Sequence, residues 1–407
     1  MTERPFAAIT VTAKAEASLR KGHPWVFDTE LLTDCSGEEY KNGEIVDVYS
    51  QKHKWLGSGF YNGNSKIKIR LISRNTNDRF DDDFWRRRVE YAIDYRAVVM
   101  GDDLKCSRLI FGEADMFPGM TADLYGDILV CEVLCLGLSL IKDKIFMFIS
   151  EALKKHGITL RTIYERSDSP LCAKEGITPF CGFAKGYPEV DGTAEIVENG
   201  IRYRVDFAAG QKTGYFLDQK LNRKCVAGIS KGLNVLDCCT HTGAFALNAA
   251  FGGAKHVTAV DISEHALESA RTNAKLNKLD DRIDFVKADV FDLLTELAAK
   301  KQHPYDLIVL DPPAFTKSGR TVKAAFGGYK EINSLAMRIL PRGGYLATCS
   351  CSHFMTSELF EKMLSEAAAE ADVRLRQIEI RRQAPDHPIL WGVPETEYLK
   401  FYIFQVV

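Results

Sequence analysis

The strongest constraint on this chain lies in its C-terminal half, where five short apolar runs each close on polar residues. Leu233–Leu236 ends at Asp237, His256–Val260 at Asp261, and Ile283–Ala288 at Asp289. Leu307–Leu310 ends at Asp311-Pro312-Pro313, and Tyr345–Thr348 runs into Cys349-Ser350-Cys351. From about residue 215 onward these runs alternate with helical periodicity, the mark of a doubly wound parallel sheet. Ligands of such sheets bind outside the carboxyl ends of the strands. Carboxylates set there in series fit one cofactor with several polar ends, and the final cysteine fits chemistry beside it.

A chain of 407 residues exceeds one ordinary core, so two or three domains are expected. The net charge of −2 carries no global nucleic-acid signal, and any basic surface must be local. The segment Met1-Thr2-Glu3-Arg4-Pro5 has no apolar core of a signal peptide. The longest apolar stretch, Ile128–Ile141, is interrupted by Glu132 and too short to span a bilayer, so it reads as a buried strand or strand pair with no membrane role. The 11 cysteines are odd in number and contain no Cys-x-x-Cys pair. That pattern argues against a disulfide framework and a metal site, and for a reducing cytoplasm.

Residues 1–74 carry short alternating segments at Ala7–Val11, Glu44–Tyr49, Leu56–Tyr61 and Lys66–Leu71, which predict a small β-barrel or sheet with little helix. Lys66, Lys68 and Arg70 share one strand face, either solvated or phosphate-contacting. Residues 75–190 read as α+β. A helix over Asp81–Val99 sets Phe84, Trp85, Val89 and Ala92 on one side and Arg86, Arg87, Arg88 and Arg96 on much of the rest. Strands follow at Met120–Tyr125, Ile128–Leu134 and Thr159–Arg166, with a helix over Leu140–His156. Asn199-Gly200 between two alternating runs predicts a hairpin over Ala194–Phe207. Residues 191–407 carry the parallel sheet, ending in an antiparallel hairpin of Val373–Ile380 and Tyr398–Val406.

The first strand-to-helix turn, Asp237 to Phe245, lacks the glycine spacing that brings backbone against a pyrophosphate. An aspartate followed by Thr242-Gly243 suits a cofactor with a charged amino-acid end. Asp261 stands where an acid takes a ribose hydroxyl pair, and Asp289 where one accepts from an adenine amine. In Asp311-Pro312-Pro313-Ala314-Phe315 the prolines stiffen the turn and aim the aspartate into the cleft. Residues two apart on a strand face the same way, so Cys349 and Cys351 are expected to point into one cleft. A thiolate is the natural nucleophile for carbon six of a pyrimidine, an addition that makes carbon five electron-rich. Ahead of the sheet, Lys212 is placed to reach a cofactor carboxylate and Phe216 to pack on an adenine. Asp218 reads equally as a ligand or a helix N-terminal acid.

Together these residues resemble the class I S-adenosylmethionine-dependent methyltransferases, and more closely the ribosomal RNA large-subunit methyltransferase I family. The strings that carry this are His23-Pro24-Trp25-Val26-Phe27 and Gly43-Glu44-Ile45-Val46 near the start, and Gly112–Asp123 and Tyr164–Asp168 in the middle. Gly210–Gln219, Asp311–Phe315 and Ser350-Cys351-Ser352 are the most specific. The resemblance implies a Rossmann-like methyltransferase sheet over residues 191–407, an N-terminal PUA-like β-barrel over 1–74, and a central α+β domain over 75–190. It implies S-adenosylmethionine as cofactor, with Asp237, Thr242 and Gly243 at its methionine end, Asp261 at the ribose and Asp289 at the adenine.

It further implies cytosine C5 methylation of 23S ribosomal RNA, with Asp311 holding the base and homodimerisation left open. Thr348-Cys349-Ser350 resembles the Thr-Cys-Ser of the wider RNA 5-methylcytosine enzymes, but counting from Gly344 selects Cys351 as nucleophile, with Cys349 as the second candidate. Pro312 and Pro313 stand where two-cysteine RNA methylases carry a second cysteine. Methylation of an exocyclic amine through Asp311-Pro312-Pro313, and a non-catalytic RNA-binding assembly factor, are the rival readings.

Overall fold

Alternating apolar residues near the N-terminus form a five-stranded sheet in the order Ala7–Val11, Ile45–Ser50, Trp55–Tyr61, Ile67–Ser73, Trp25–Phe27. This computed structural model describes residues 4–316 and 318–407. The first pair of strands is parallel and the others antiparallel. Ile9, Val11, Val26, Val48 and Ile69 fill the interior. The chain divides into two compact units. The first comprises Met1–Ile196, Val205–Leu217 and Pro385–Thr396, and the second Val197–Arg204, Asp218–Ala384 and Glu397–Val407.

The first unit holds a second five-stranded sheet, ordered Phe180–Phe183, Thr162–Ser167, Ile128–Val133, Met120–Tyr125, Cys106–Phe111. The helices Asp82–Met100 and Lys142–Lys155 cover it with Phe84, Trp85, Val89, Phe146, Phe148 and Ile149. Asp81 caps the first of these helices by accepting from the Phe84 N–H, which fixes where it starts.

Three expectations need correction in this unit. Ile128–Ile141 is a strand only as far as Val133; a short helix over Leu136–Ser139 follows. Arg96 is fully buried rather than solvated, because Asp115 takes its guanidinium in a two-pronged pair at 2.5 and 2.7 Å. Arg70 does not face solvent with Lys66; it bridges Glu113 and Glu175 at 3.1 Å each, so a phosphate role for that face loses one of its three cations.

The hairpin forms as predicted, Thr193–Glu198 with Ile201–Asp206, and both Asn199 and Gly200 take positive φ as a tight two-residue turn requires.

The second unit is the doubly wound sheet. Its strands, numbered within this unit, are β1 (Asn234–Cys238), β2 (His256–Asp261), β3 (Ile283–Lys287), β4 (Leu307–Leu310), β5 (Tyr345–Ser350), β6 (Leu375–Arg381) and β7 (Lys400–Val406). They lie in the order β3-β2-β1-β4-β5-β7-β6. The first five are parallel, and β7 and β6 close the sheet as the expected antiparallel hairpin. Its helices are α1 (Lys220–Ile229), α2 (Ala244–Phe251), α3 (Glu264–Leu276), α4 (Val290–Ala299), α5 (Val322–Ile339) and α6 (Ser357–Glu370).

Val235, Leu236, Val257, Ala259 and all of Leu307–Leu310 are fully buried, as strands covered on both faces must be. Strand order reverses between β1 and β4, and that switch point is where an open α/β sheet opens a crevice. Among the described residues no helix is long and apolar enough to cross a membrane.

Candidate active site

The crevice at the switch point gathers the acids that the sequence placed at strand ends. Cys239 follows β1 directly, and its thiol feels the charges of Asp261, Asp311, Asp237 and Asp289. Burial first, and then these four carboxylates, push that thiol far up. The turn it opens is conformationally unusual: Cys239, His241 and Gly243 all have positive φ. Two non-glycine residues held left-handed within one turn is stored strain of the kind found at ligand sites. Gly243 is required twice over, since its φ is +81° and a Cβ would meet the Cβ of Ala270 in α3 at 2.9 Å.

Asp237 holds this turn from below. Its Oδ2 accepts from the Thr240 hydroxyl at 2.6 Å and the Ala246 N–H at 2.9 Å. Its Oδ1 is buried with no hydrogen-bond partner among the described residues. Burial pushes the carboxyl up to about 7, against the lowering effect of those two donors. An orphaned acceptor beneath a strained turn fits a ligand that brings its own donor. Asp261 accepts from the backbone N–H groups of His241 and Ser263, both at 2.9 Å, and so ties the turn to the end of β2. Asp289 caps α4: its Oδ1 accepts from Phe291 at 2.8 Å and Asp292 at 3.3 Å, a structural task that the ribose-and-adenine reading did not include.

Across the switch point, Asp311 follows β4. Gln219 donates to its Oδ1 at 3.0 Å, and the thiol of Cys349 bonds to the same carboxyl. Although the residue retains some exposure, the carboxyl itself is enclosed. Burial, reinforced by the charge of Asp218, raises it to about 7. Asp218 accepts from the Tyr398 hydroxyl at 2.6 Å, just ahead of α1. Phe315 turns away from the acids to pack on Tyr329 at 4.4 Å and Phe291 at 6.0 Å.

The two cysteines of β5 differ in kind. Cys349 is fully buried in the β5–β7 ladder opposite Phe401, and burial raises its thiol well above the ordinary range. Cys351 lies just past the strand end and is partly exposed. Its floor is polar: Tyr329 hydroxyl meets Ser352 Oγ at 3.0 Å, and Ser350 and Ser352 are buried. Lys400, only 4 % exposed, stands opposite Ser350 and donates to the carbonyls of Ser352 at 2.7 Å and Tyr398 at 2.8 Å. Burial lowers its ammonium to about 8, while the charges of Cys351 and then Glu397 pull it back up.

The structure therefore brings Asp237, Thr242, Gly243, Asp261, Asp289, Asp311, Cys349 and Cys351 to one end of one sheet. Lys212 and Phe216 belong to the first unit, where the Lys212 ammonium sits 5.0 Å from the Phe216 ring. Sequence reasoning missed Lys400 and Gln219. Gln219 lies inside a string already singled out, whereas Lys400 opens an apolar run that read only as an edge strand.

Comparison with known proteins bears on this geometry. Residues 178–402 match the family model described as S-adenosylmethionine-dependent methyltransferase, and residues 9–74 match a PUA-like domain. The chain is similar to the ribosomal RNA large subunit methyltransferase I of Aeromonas hydrophila, 39% identical over 399 residues, covering 97% of this chain and 98% of that one. Its counterpart from Pseudoalteromonas atlantica is 37% identical over 401 residues, with 98% and 99% covered. Among solved structures, a Streptococcus mutans chain assigned to the SAM-dependent methyltransferases superposes with a TM-score of 0.82 over 98% of this chain and 100% of its own. A second structure, complexed with SAH, gives the same score. At 22% and 23% identity these two speak to the fold.

Proposed function

The chain belongs to the ribosomal RNA large subunit methyltransferase I family of S-adenosylmethionine-dependent enzymes, and from that premise we propose that it methylates carbon five of a cytosine in 23S ribosomal RNA through a covalent cysteine adduct. One observation carries the reading: a partly exposed thiol, Cys351, lies beside a buried ammonium, Lys400, whose hydrogen bonds go only to neutral carbonyls. A buried cation whose hydrogen bonds go to carbonyls favours a thiolate next to it, and the thiolate is the nucleophile. Cys349 is too deeply buried, and its thiol too strongly raised, to serve.

The cofactor end fits on the chain's own chemistry. The orphaned Oδ1 of Asp237 suits an ammonium donor, and Asp261 and Asp289 suit hydroxyl and amine donors. S-Adenosylmethionine, when bound, supplies a methyl group on a sulfonium that departs as a thioether.

The target base must leave its stack to reach such a crevice. Cys351 adds to carbon six. Asp311, half-protonated near pH 7, holds a proton at the ring nitrogen, and this draws off the charge that the addition develops. Gln219 and the Cys349 thiol keep the Asp311 carboxyl in place. The electron pair that the addition leaves on carbon five takes the methyl group; carbon five then gives its proton to a base, and expulsion of the Cys351 thiolate restores the ring.

The Cys351→Ala variant, assayed for methyl transfer to a 23S transcript with base mapping by mass spectrometry, tests this. Abolished transfer with unchanged cofactor binding is expected. Retained turnover would sink the thiol route and move the reading to an exocyclic amine held by Asp311.

A further inference from the structure

The segment Pro385–Thr396 connects β6 to β7 in sequence yet counts within the first unit, and it holds the most exposed tryptophan of the chain. Trp391 is 92 % exposed, whereas Trp25, Trp55 and Trp85 are buried or half-buried. An indole left in water is usually a flexible accident of a loop. Here the loop is pinned at both ends. Asp386 is fully buried; its carboxylate accepts from the Arg108 N–H at 2.9 Å, and its carbonyl from Arg96 at 3.0 Å. His387, also buried, bonds Asp386 at 2.9 Å and packs 5.3 Å from Phe111. Tyr95 donates to the Pro385 carbonyl at 2.9 Å.

On the far side, the Leu390 N–H donates to Thr396 Oγ1 at 2.9 Å, and Glu395 meets the ring of His23 at 3.3 Å. Gly392, with φ +89°, presses its backbone onto Lys21, where a Cβ would come within 2.4 Å of the Lys21 carbonyl. The fold therefore holds the backbone of Trp391 in a fixed place.

The backbone that carries that ring packs against a basic segment, with Gly392 on the Lys21 carbonyl and the Trp391 carbonyl beside Gly22. Lys21 and Arg20 close the helix Ala13–Arg20 and are exposed, and Arg74, also exposed, reaches the His23 carbonyl. Trp391 is the single exposed large apolar residue of the segment, so it does not form the contiguous apolar patch of a protein-binding core. One exposed aromatic face with exposed cations on the adjoining segment is instead what an unpaired base with its phosphates needs.

We infer that Trp391 is a stacking platform for an unpaired base of bound RNA, with Lys21, Arg20 and Arg74 taking the adjoining phosphates. This rests on the reading that RNA is the substrate, and it names how the first unit grips that RNA.

The full chain titrated with a single-stranded RNA of about a dozen nucleotides tests it, using tryptophan fluorescence and filter binding. The wild type should show saturable quenching that Trp391→Phe lacks. Trp391→Ala should bind about 5- to 150-fold more weakly, with Trp391→Phe retaining most affinity because its ring still stacks. Wild-type affinity in Trp391→Ala, or equal quenching by duplex RNA, would overturn the inference. So would loss of a dimer in that variant with RNA affinity unchanged, which would assign the ring to a second copy. Methyl transfer to a 23S transcript is measured alongside. If transfer fails while Trp391-dependent quenching persists, the methylation reading falls and the platform stands.

Discussion

Lys400 donates from a buried ammonium to the carbonyl of Ser352 at 2.7 Å, one residue past Cys351. The contact does two things at once. It fixes the backbone on which Cys351 rides, and it places a cation where a thiolate develops. Lys400→Met should remove the second while leaving much of the packing. The alkylation of Cys351, followed residue by residue with iodoacetamide and mass spectrometry, should then shift to higher pH by about one unit or more. Lys400→Arg should shift it less, since the charge survives. An unchanged pH profile in Lys400→Met would show that the lysine only anchors the loop.

Cys349 and Cys351 should separate cleanly in substitution. Cys349→Ala removes a buried sulfur and the thiol bond to Asp311, so a loss of about 1–2 kcal/mol in stability is expected. Its methyl transfer should persist at a reduced rate. Cys351→Ala should keep its stability, because the residue is partly exposed, and lose turnover by at least about a thousandfold. The reverse pattern would make Cys349 the nucleophile.

The reach of the sequence ended where long-range pairing began. Asp237, Asp261, Asp289 and Asp311 were legible because each closes a local apolar run, and a parallel sheet sends all such ends to one side. The Asn199-Gly200 turn and the two helices of the first unit were legible for the same local reasons. Lys400 was not, since it meets the cysteine region only through the antiparallel register that sets it opposite Ser350.

Arg96 failed differently. Helical periodicity assigned it to water, but a carboxylate from elsewhere in the chain, Asp115, repaid its burial. Asp289 shows a third limit, for a strand-end acid and a helix cap read alike until the Phe291 and Asp292 N–H groups are seen to use it.

Gly243→Ala should damage the cofactor turn directly. The new methyl would lie 2.9 Å from the Cβ of Ala270, and φ of +81° strains any side chain. Together these should cost about 1–3 kcal/mol, read as a lower denaturant midpoint. The N-terminus of α2 and the turn from Cys239 would shift with it, so affinity for S-adenosylhomocysteine by calorimetry should fall as well. Normal stability and affinity would mean that α3 yields easily and that the close approach is incidental.

Asp237 makes the stability of the cofactor-free protein depend on pH in an unusual sense. Folding raises its carboxyl from about 3.9 in the unfolded chain to about 7. The folded state therefore binds the proton more tightly, and its advantage is complete below pH about 4. That advantage is lost as pH rises through about 7, with a slope approaching about 1.4 kcal/mol per pH unit between those values. Asp237→Asn has no such titration, yet its amide oxygen can still accept from Thr240 and Ala246. Urea unfolding at pH 5, 6, 7 and 8 should thus show the variant gaining on the wild type across the series. Parallel curves would mean that the carboxyl is ionised throughout, and that the unpartnered Oδ1 has found a donor in solution.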